Sequence, residues 1–365
     1  MVRGDRMKRV FTKEAVAGSV LARDVYGFGD VLILKKGIVL TAENIYSLIM
    51  KNIDWIDIEE AGEEIQKSTQ GTSGYQDRIK NTEEYKVFSK KYNTNLGELE
   101  NGINRLIGKN ADEKDVNAMM NQTMDIISGL DNGISVFDML NGIKDYDDAT
   151  FAHSINVSLI CNILAKWIGM NEDEIHLATQ CGLFHDVGKV AIPVEVLTKP
   201  GKLTKEEYDI VKTHTTRGYR ILQDYDFLPE EVKLCALMHH ERCDGSGYPL
   251  GLKTDKINRY AKLVAIADIY DAMTSARVYR GPLCPFKVIR IFEEEGFEKY
   301  DPRYVVTFLQ NIADTYVQNE VLLSDGRKGQ IILINKSMVS KPIVQCGGEV
   351  IDLSKNPDLY IENIL

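Results

Sequence analysis

The sequence predicts a mainly α protein, a bundle of about seven helices with small β-rich segments at both ends. Three observations carry this. Residues 141–318 are almost wholly helical by pattern, and on either side the hydrophobic period shortens to that of strands. All six histidines fall between His153 and His240, inside the helical part. Histidines scattered through a core or surface would not cluster so tightly.

A chain of 365 residues has room for two or three compact units. The net charge of −10 argues against a nucleic-acid polymer as ligand, because nothing neutralises many phosphates at once. A small phosphorylated substrate needs only a few local cations and stays open. The six cysteines are scattered without a Cys-x-x-Cys pair and read as reduced core residues. No apolar run is long enough to span a bilayer and no signal segment follows Met1, so a cytoplasmic protein is expected.

Residues 1–65 read as a small β-rich accessory domain. Val16–Val25 and Val31–Leu40 are its candidate strands, Thr41 caps a short helix, and Ile53–Ile58 alternates as a closing strand. Residues 66–140 form a linker and helical connector. The polar stretch 61–77 contains the Gly71-Thr72-Ser73-Gly74 turn, and helices broken at 108–112 and 131–133 follow. Those helices either join the core or lead elsewhere, pairing with a second copy in a homodimer being one arrangement.

In residues 141–318 the candidate helices are 150–168, 172–187, 204–223, 229–241, 257–277, 283–296 and 301–318. Asn171, Thr204 and Pro229 mark sensible starts. Residues 319–365 form a β segment, with Asp325-Gly326 turning a hairpin and two further strands at 342–344 and 350–353.

The chemistry concentrates in the bundle. His239-His240-Glu241 runs into Gly245-Ser246-Gly247-Tyr248-Pro249, a metal site with a shaped lip. Adjacent histidines on a helix point about 100° apart, so they serve different ions or two sides of one site. His185-Asp186 closes one helix. An aspartate between two ions about 3.5–4 Å apart can bridge them, with a histidine on each flank and an acidified water as nucleophile for a phosphodiester. Lys189, one turn beyond, would sit near the phosphate or leaving oxygen, although a helix C-terminus favours a lysine anyway. Asp268 lies amid apolar neighbours, where an unpaired carboxylate costs several kcal/mol. A pairing with Arg277 would satisfy it, but with five imidazoles on converging helices a metal role is the better reading. Carboxylate plus imidazole suits iron, manganese or zinc. His176 falls off this pattern and reads as structural or surface.

These motifs resemble the HD-GYP phosphodiesterases, a branch of the HD metal-dependent phosphohydrolases. The matching residues are His153-Ser154, His185-Asp186-Val187-Gly188-Lys189, Lys199–Thr204 with Glu207, His214 with Gly218, and His239–Pro249. Asp268 with Asp271–Ser275, and Arg277-Val278-Tyr279-Arg280, complete the match, over residues 147–300. The resemblance implies hydrolysis of cyclic di-GMP to pGpG or GMP at a centre of divalent ions, iron or manganese favoured and zinc, nickel or magnesium as alternatives. It implies His153, His185, Asp186, His214, His239, His240 and Asp268 as metal ligands and Lys189 with Asp186 as catalytic. Arg277, Arg280, Tyr248 and Lys189 would hold substrate, and the Gly-Tyr-Pro lip would border the site or contact diguanylate cyclase (GGDEF) domains. Ala149 stands where three-metal members carry a glutamate, which favours two ions. Val278 stands where proline is usual. Two other readings remain: a phosphohydrolase for another cyclic dinucleotide or nucleotide, and a receptor that binds cyclic di-GMP without turnover.

Overall fold

The computed structural model describes residues 7–12, 15–26, 32–51, 53, 55–59, 78–128, 136–143, 149–197, 199, 204–275 and 283–365. The N-terminal module contains β1 (Met7–Phe11), β2 (Val25–Tyr26), β3 (Leu32–Leu34), α1 (Ala42–Met50) and β4 (Trp55–Glu59). β1 pairs with β4 and β2 with β3, both antiparallel, around a small core of Val10, Leu21, Leu40, Ile45, Leu48 and Ile56. Thr41 caps α1 in a capping box with Asn44, as its sequence suggests. The two long strands expected before it are mostly absent. Turns at 17–18 and 36–37 interrupt both runs, and β1, unexpected from sequence, pairs with the closing strand instead.

α1 has two faces. Ile45 and Leu48 serve the module's own core, whereas Tyr46 joins the main one. Glu43 pairs with Arg290 and Lys287, and Lys51 pairs with Glu295, seating α1 on the bundle. Trp55 packs, alongside Tyr208 and Val211, on the Ile192 and Val196 cluster of the bundle.

α2 (Glu83–Ile107), α3 (Glu113–Ile127) and α4 (Val136–Gly142) follow. Phe88, Tyr92, Leu99, Ile103 and Leu106 of α2 are buried in the main core, so these helices are part of it. The break at 108–112 is the α2–α3 turn, where Asp112 caps α3. The stretches read as a linker at 61–77 and a break at 131–133 lie outside the described residues.

The bundle proper comprises α5 (Ala149–Trp167), α6 (Glu172–Phe184), a 3-10 turn (Val187–Ala191), α7 (Val194–Leu197), α8 (Lys205–Lys212) and α9 (His214–Gln223). α10 (Glu230–Met238), α11 (Arg259–Thr274), α12 (Pro285–Lys299) and α13 (Pro302–Asp314) complete it. Capping boxes start α6 at Asn171 with Glu174 and α8 at Thr204 with Glu207. α11 is buried around most of its circumference, so any carboxylate it carries inward needs a partner.

The helix expected over 204–223 is two helices. The Thr213 side chain donates to the Ile210 carbonyl (2.6 Å) and accepts from Arg217 (2.9 Å), and this local competition breaks the run just before His214. The helix expected to 187 ends at Phe184 and tightens into the 3-10 turn.

At the C-terminus β5 (Glu320–Leu323), β6 (Lys328–Leu333), β7 (Ile343–Cys346), β8 (Glu349–Asp352) and β9 (Ile361–Ile364) form one antiparallel sheet in the order β8-β7-β6-β5-β9. The Asp325-Gly326 hairpin and both further strands are present, and β9 is an addition. Lys287 pairs with Glu362, and Glu293 accepts from the Val339 amide (2.5 Å), which docks the sheet on α12.

Candidate metal centre

Every histidine in this site stands at or beside a helix terminus, apart from His153 on α5. His185 and His239 are the residues that close α6 and α10, and His214 opens α9. Terminal turns leave backbone carbonyls without intrahelical partners. The imidazoles use nearby carbonyls: His185 Nδ1 donates to the Gly182 carbonyl (2.7 Å), His214 Nδ1 to Val211 (2.7 Å) and His239 Nδ1 to Cys235 (3.0 Å). His153 Nδ1 donates instead to Asp271 Oδ2 (2.7 Å). A proton fixed on Nδ1 leaves Nε2 as the free donor atom of the neutral ring, oriented as in metal sites.

Those Nε2 atoms converge on Asp186. Asp186 Oδ2 lies 3.3 Å from His185 Nε2 and 3.6 Å from His153 Nε2, while Oδ1 lies 3.3 Å from His214 Nε2 and 3.7 Å from His239 Nε2. The carboxylate thus separates two histidine groups: His153 with His185, and His214 with His239 and His240. Asp268 bridges between them on the other side, 3.0 Å from His153 Nε2 and 3.7 Å from His240 Nδ1. Lys189 forms an ion pair with Asp186 Oδ2. His176 is exposed and takes no part.

Adjacent His239 and His240 serve one group, although neighbours inside a helix point about 100° apart. α10 ends at Met238, and both rings join the same group with centroids 4.2 Å apart.

The electrostatics differ across Asp186. Burial pushes His214 down to about 4 and His239 down to about 3, with neighbouring His185 adding to the effect on His239. Burial and His239 also hold His240 well below its usual value. Burial acts the same way on His153, but hydrogen bonds to Asp268 and Asp271 outweigh it and raise that imidazole to about 9. Burial would raise the carboxyls of Asp186 and Asp268. Lys189 and His185 outweigh it at Asp186, and His153 does so at Asp268, leaving both well below the usual range.

The donor set fits divalent cations. Neutral His214 and His239 point their Nε2 atoms at each other across 3.3 Å, two lone pairs with no proton between them. Among the described residues, His185 Nε2 and Asp186 Oδ1 are buried without a hydrogen-bond partner. Buried polar atoms left so cost about 1–3 kcal/mol each, a cost that a cation between them removes. Imidazole and carboxylate without thiolate suit first-row divalent metals.

Two glycines allow the close approaches. A Cβ on Gly188 would stand 1.9 Å from the His214 carbonyl oxygen, so only glycine lets the Asp186–Lys189 turn lie against the start of α9. A Cβ on Gly247 would stand 2.4 Å from the Arg242 amide, so only glycine folds the lip back under His240. Tyr248 then lays its ring over His240, centroids 4.7 Å apart. Glu241, buried, accepts from the amides of Leu250 (2.6 Å) and Leu252 (2.8 Å) and clamps the lip. Lys199 pairs with Glu207 (2.7 Å) at the start of α8.

Sequence reasoning gave no role to Asp271 and Asn156. Asp271 accepts from His153, from Asn156 Nδ2 (3.0 Å) and from Ser275 Oγ (3.0 Å). The available signal was spacing, since Asp268 and Asp271 share one face of α11 at i, i+3. Arg277, Arg280 and Val278 lie outside the described residues.

A family model described as "HD domain" matches residues 139–304. The chain is 35% identical over 190 residues to a cyclic di-GMP phosphodiesterase of Pseudomonas aeruginosa, covering 52% of this chain and 46% of that protein. It is 39% identical over 189 residues to a cyclic di-GMP phosphodiesterase of Thermotoga maritima, covering 50% of each. A 3'3'-cGAMP-specific phosphodiesterase of Vibrio cholerae is 40% identical over 157 residues, 43% of this chain and 36% of that one. The chain thus spans about half the length of the first curated relatives it matches, or less. An HD-GYP-type protein of Bdellovibrio bacteriovorus shares the fold at a TM-score of 0.50 and 15% identity, covering 84% of this chain and 99% of that one. Residues 139–304 of this chain are thus similar to HD domains, and His185-Asp186 and Gly247-Tyr248-Pro249 lie within that span.

Proposed function

We propose that this chain hydrolyses cyclic di-GMP to pGpG or GMP with two divalent ions, iron or manganese, held on either side of Asp186. One observation carries the reading: the two oxygens of a single buried carboxylate face separate histidine groups. His153 and His185 would hold one ion, and His214, His239 and His240 the other. Asp186 would be shared, and Asp268 would close the site between His153 and His240. Such ions supply Lewis acidity and activate water toward a phosphodiester.

The chain's own groups do the rest. The carbonyl bonds to Nδ1 keep the imidazoles aimed without reorganisation. Lys189, beside Asp186, brings a cation to the phosphate or its leaving oxygen. Tyr248, its ring packed on His240, is proposed to contact substrate at the lip. Arg277 and Arg280 are proposed from sequence as forks for phosphate or guanine. The exposed rim of the lip, Asp244, Ser246 and Leu250, is the face offered to a diguanylate cyclase domain.

The identity to the Vibrio enzyme favours a second substrate, 3'3'-cGAMP. The test is to purify the protein anaerobically, measure bound iron, manganese and zinc, and follow both dinucleotides by chromatography with and without His185→Ala. The expected result is cleavage of cyclic di-GMP by the native protein and none by the variant. Faster cleavage of 3'3'-cGAMP would reassign the substrate. Binding without cleavage by metal-loaded protein would make it a receptor.

A further inference from the structure

Two tyrosines from outside residues 139–304 converge on the surroundings of His153. Tyr46 belongs to α1 of the N-terminal module and is 2% exposed. Its hydroxyl donates to the backbone carbonyl of Ala272 (2.9 Å), in the last turn of α11, where carbonyls lack intrahelical partners. Ala272 directly follows Asp271 in the chain. Tyr92 belongs to α2 of the connector and has no exposed surface. Its hydroxyl lies 2.7 Å from Asn156 Oδ1 and 3.0 Å from the Ala152 carbonyl, and Asn156 in turn donates to Asp271 Oδ1 (3.0 Å). Ala152 and Asn156 flank His153 on α5.

We propose that Tyr46 and Tyr92 are positioning residues for His153, acting through Asp271, so that the N-terminal module and connector set metal affinity on the His153–His185 side alone. This rests on the two-ion reading above. The asymmetry comes from the anchors. His214 and His239 are held by carbonyls of Val211 and Cys235, within their own local turns. His153 is held by a side chain whose placement depends on elements from two other parts of the chain. A carboxylate that orients a ligating imidazole changes metal affinity by about 10–100-fold when removed. A hydroxyl one bond further out should cost on the order of threefold to tenfold.

The test uses the full chain, stripped by chelator and titrated with Mn²⁺. His153→Ala identifies which ion belongs to the His153 side. In Tyr46→Phe and in Tyr92→Phe, each of which keeps the ring, that ion should weaken by about threefold to tenfold while the other is unchanged. In an Asp271→Asn background the same substitutions should add nothing. The proposal fails if that ion binds both phenylalanine variants as tightly as it binds the native chain. It also fails if both ions weaken together, which would mean general loosening, or if the effects persist in full without Asp271. Turnover of cyclic di-GMP by the native chain is followed separately. Its absence would defeat the function proposed above and leave the Mn²⁺ titration to judge this inference.

Discussion

The two sides of Asp186 hold their imidazoles by different means. His214 and His239 donate to main-chain carbonyls and are driven neutral by burial. His153 is clasped by two carboxylates and driven toward the charged form. The first side therefore stands ready as ligands at neutral pH, and the second must shed a proton before it can bind an ion. Equal-looking histidines thus have unequal tasks, set by whether the partner is a dipole or a charge.

Asp186→Asn should have the largest effect, because it strikes both sides at once. Turnover should fall by about three orders of magnitude, and metal analysis should find neither ion retained after desalting. Retention of one full ion would show that the two sides do not depend on a shared carboxylate.

Single-side variants sharpen the contrast. His239→Ala and His153→Ala should each lose one ion per chain, and each should lower turnover by about a hundredfold. Mixed-metal spectroscopy of the remaining ion should differ between them. Identical spectra would mean that the ions sit in one undivided site.

The smallest effect is in the stability of metal-stripped protein against pH. His214 and His239 have folded values of about 4 and 3, below the usual 6.5, so their contribution is present above 6.5 and is lost as pH falls toward those values. His153 is raised from 6.5 to about 9, so its contribution is present below 6.5 and is lost as pH rises through 9. Melting temperature should decline by a few degrees on each flank. His153→Ala should flatten the alkaline flank and His239→Ala should relieve the acid one. A variant that altered the opposite flank would reverse the assignment.

Much of this was legible in the chain. Capping residues Thr41, Asn171 and Thr204 announced their helices because an unsatisfied first turn demands a side-chain acceptor. The gathering of His153, His185, His214, His239 and Asp268 was legible because ionisable groups set in apolar helices need a common purpose. The orienting carbonyls were not, since every residue has one and only the fold selects which is reached. Asp271 carried a signal in its spacing from Asp268, but its bond to His153 requires α5 and α11 to lie side by side. The strands before α1 failed because apolar residues within a run do not reveal the turns that cut it. The split at Thr213 failed because helical periodicity passes straight through it.

The bonds from Nδ1 to carbonyls carry one further consequence. Rings already held by the backbone have little rotamer freedom left to lose, so the pocket need not be shaped by its occupant. A pocket built in advance from nitrogen and oxygen donors, without thiolate, ranks first-row metals mainly by their inherent affinity order. On the two-ion reading its contents would then follow the relative abundance of those metals where the chain folds. The same polypeptide expressed in iron-rich and manganese-rich media would accordingly be two differently loaded proteins with one structure.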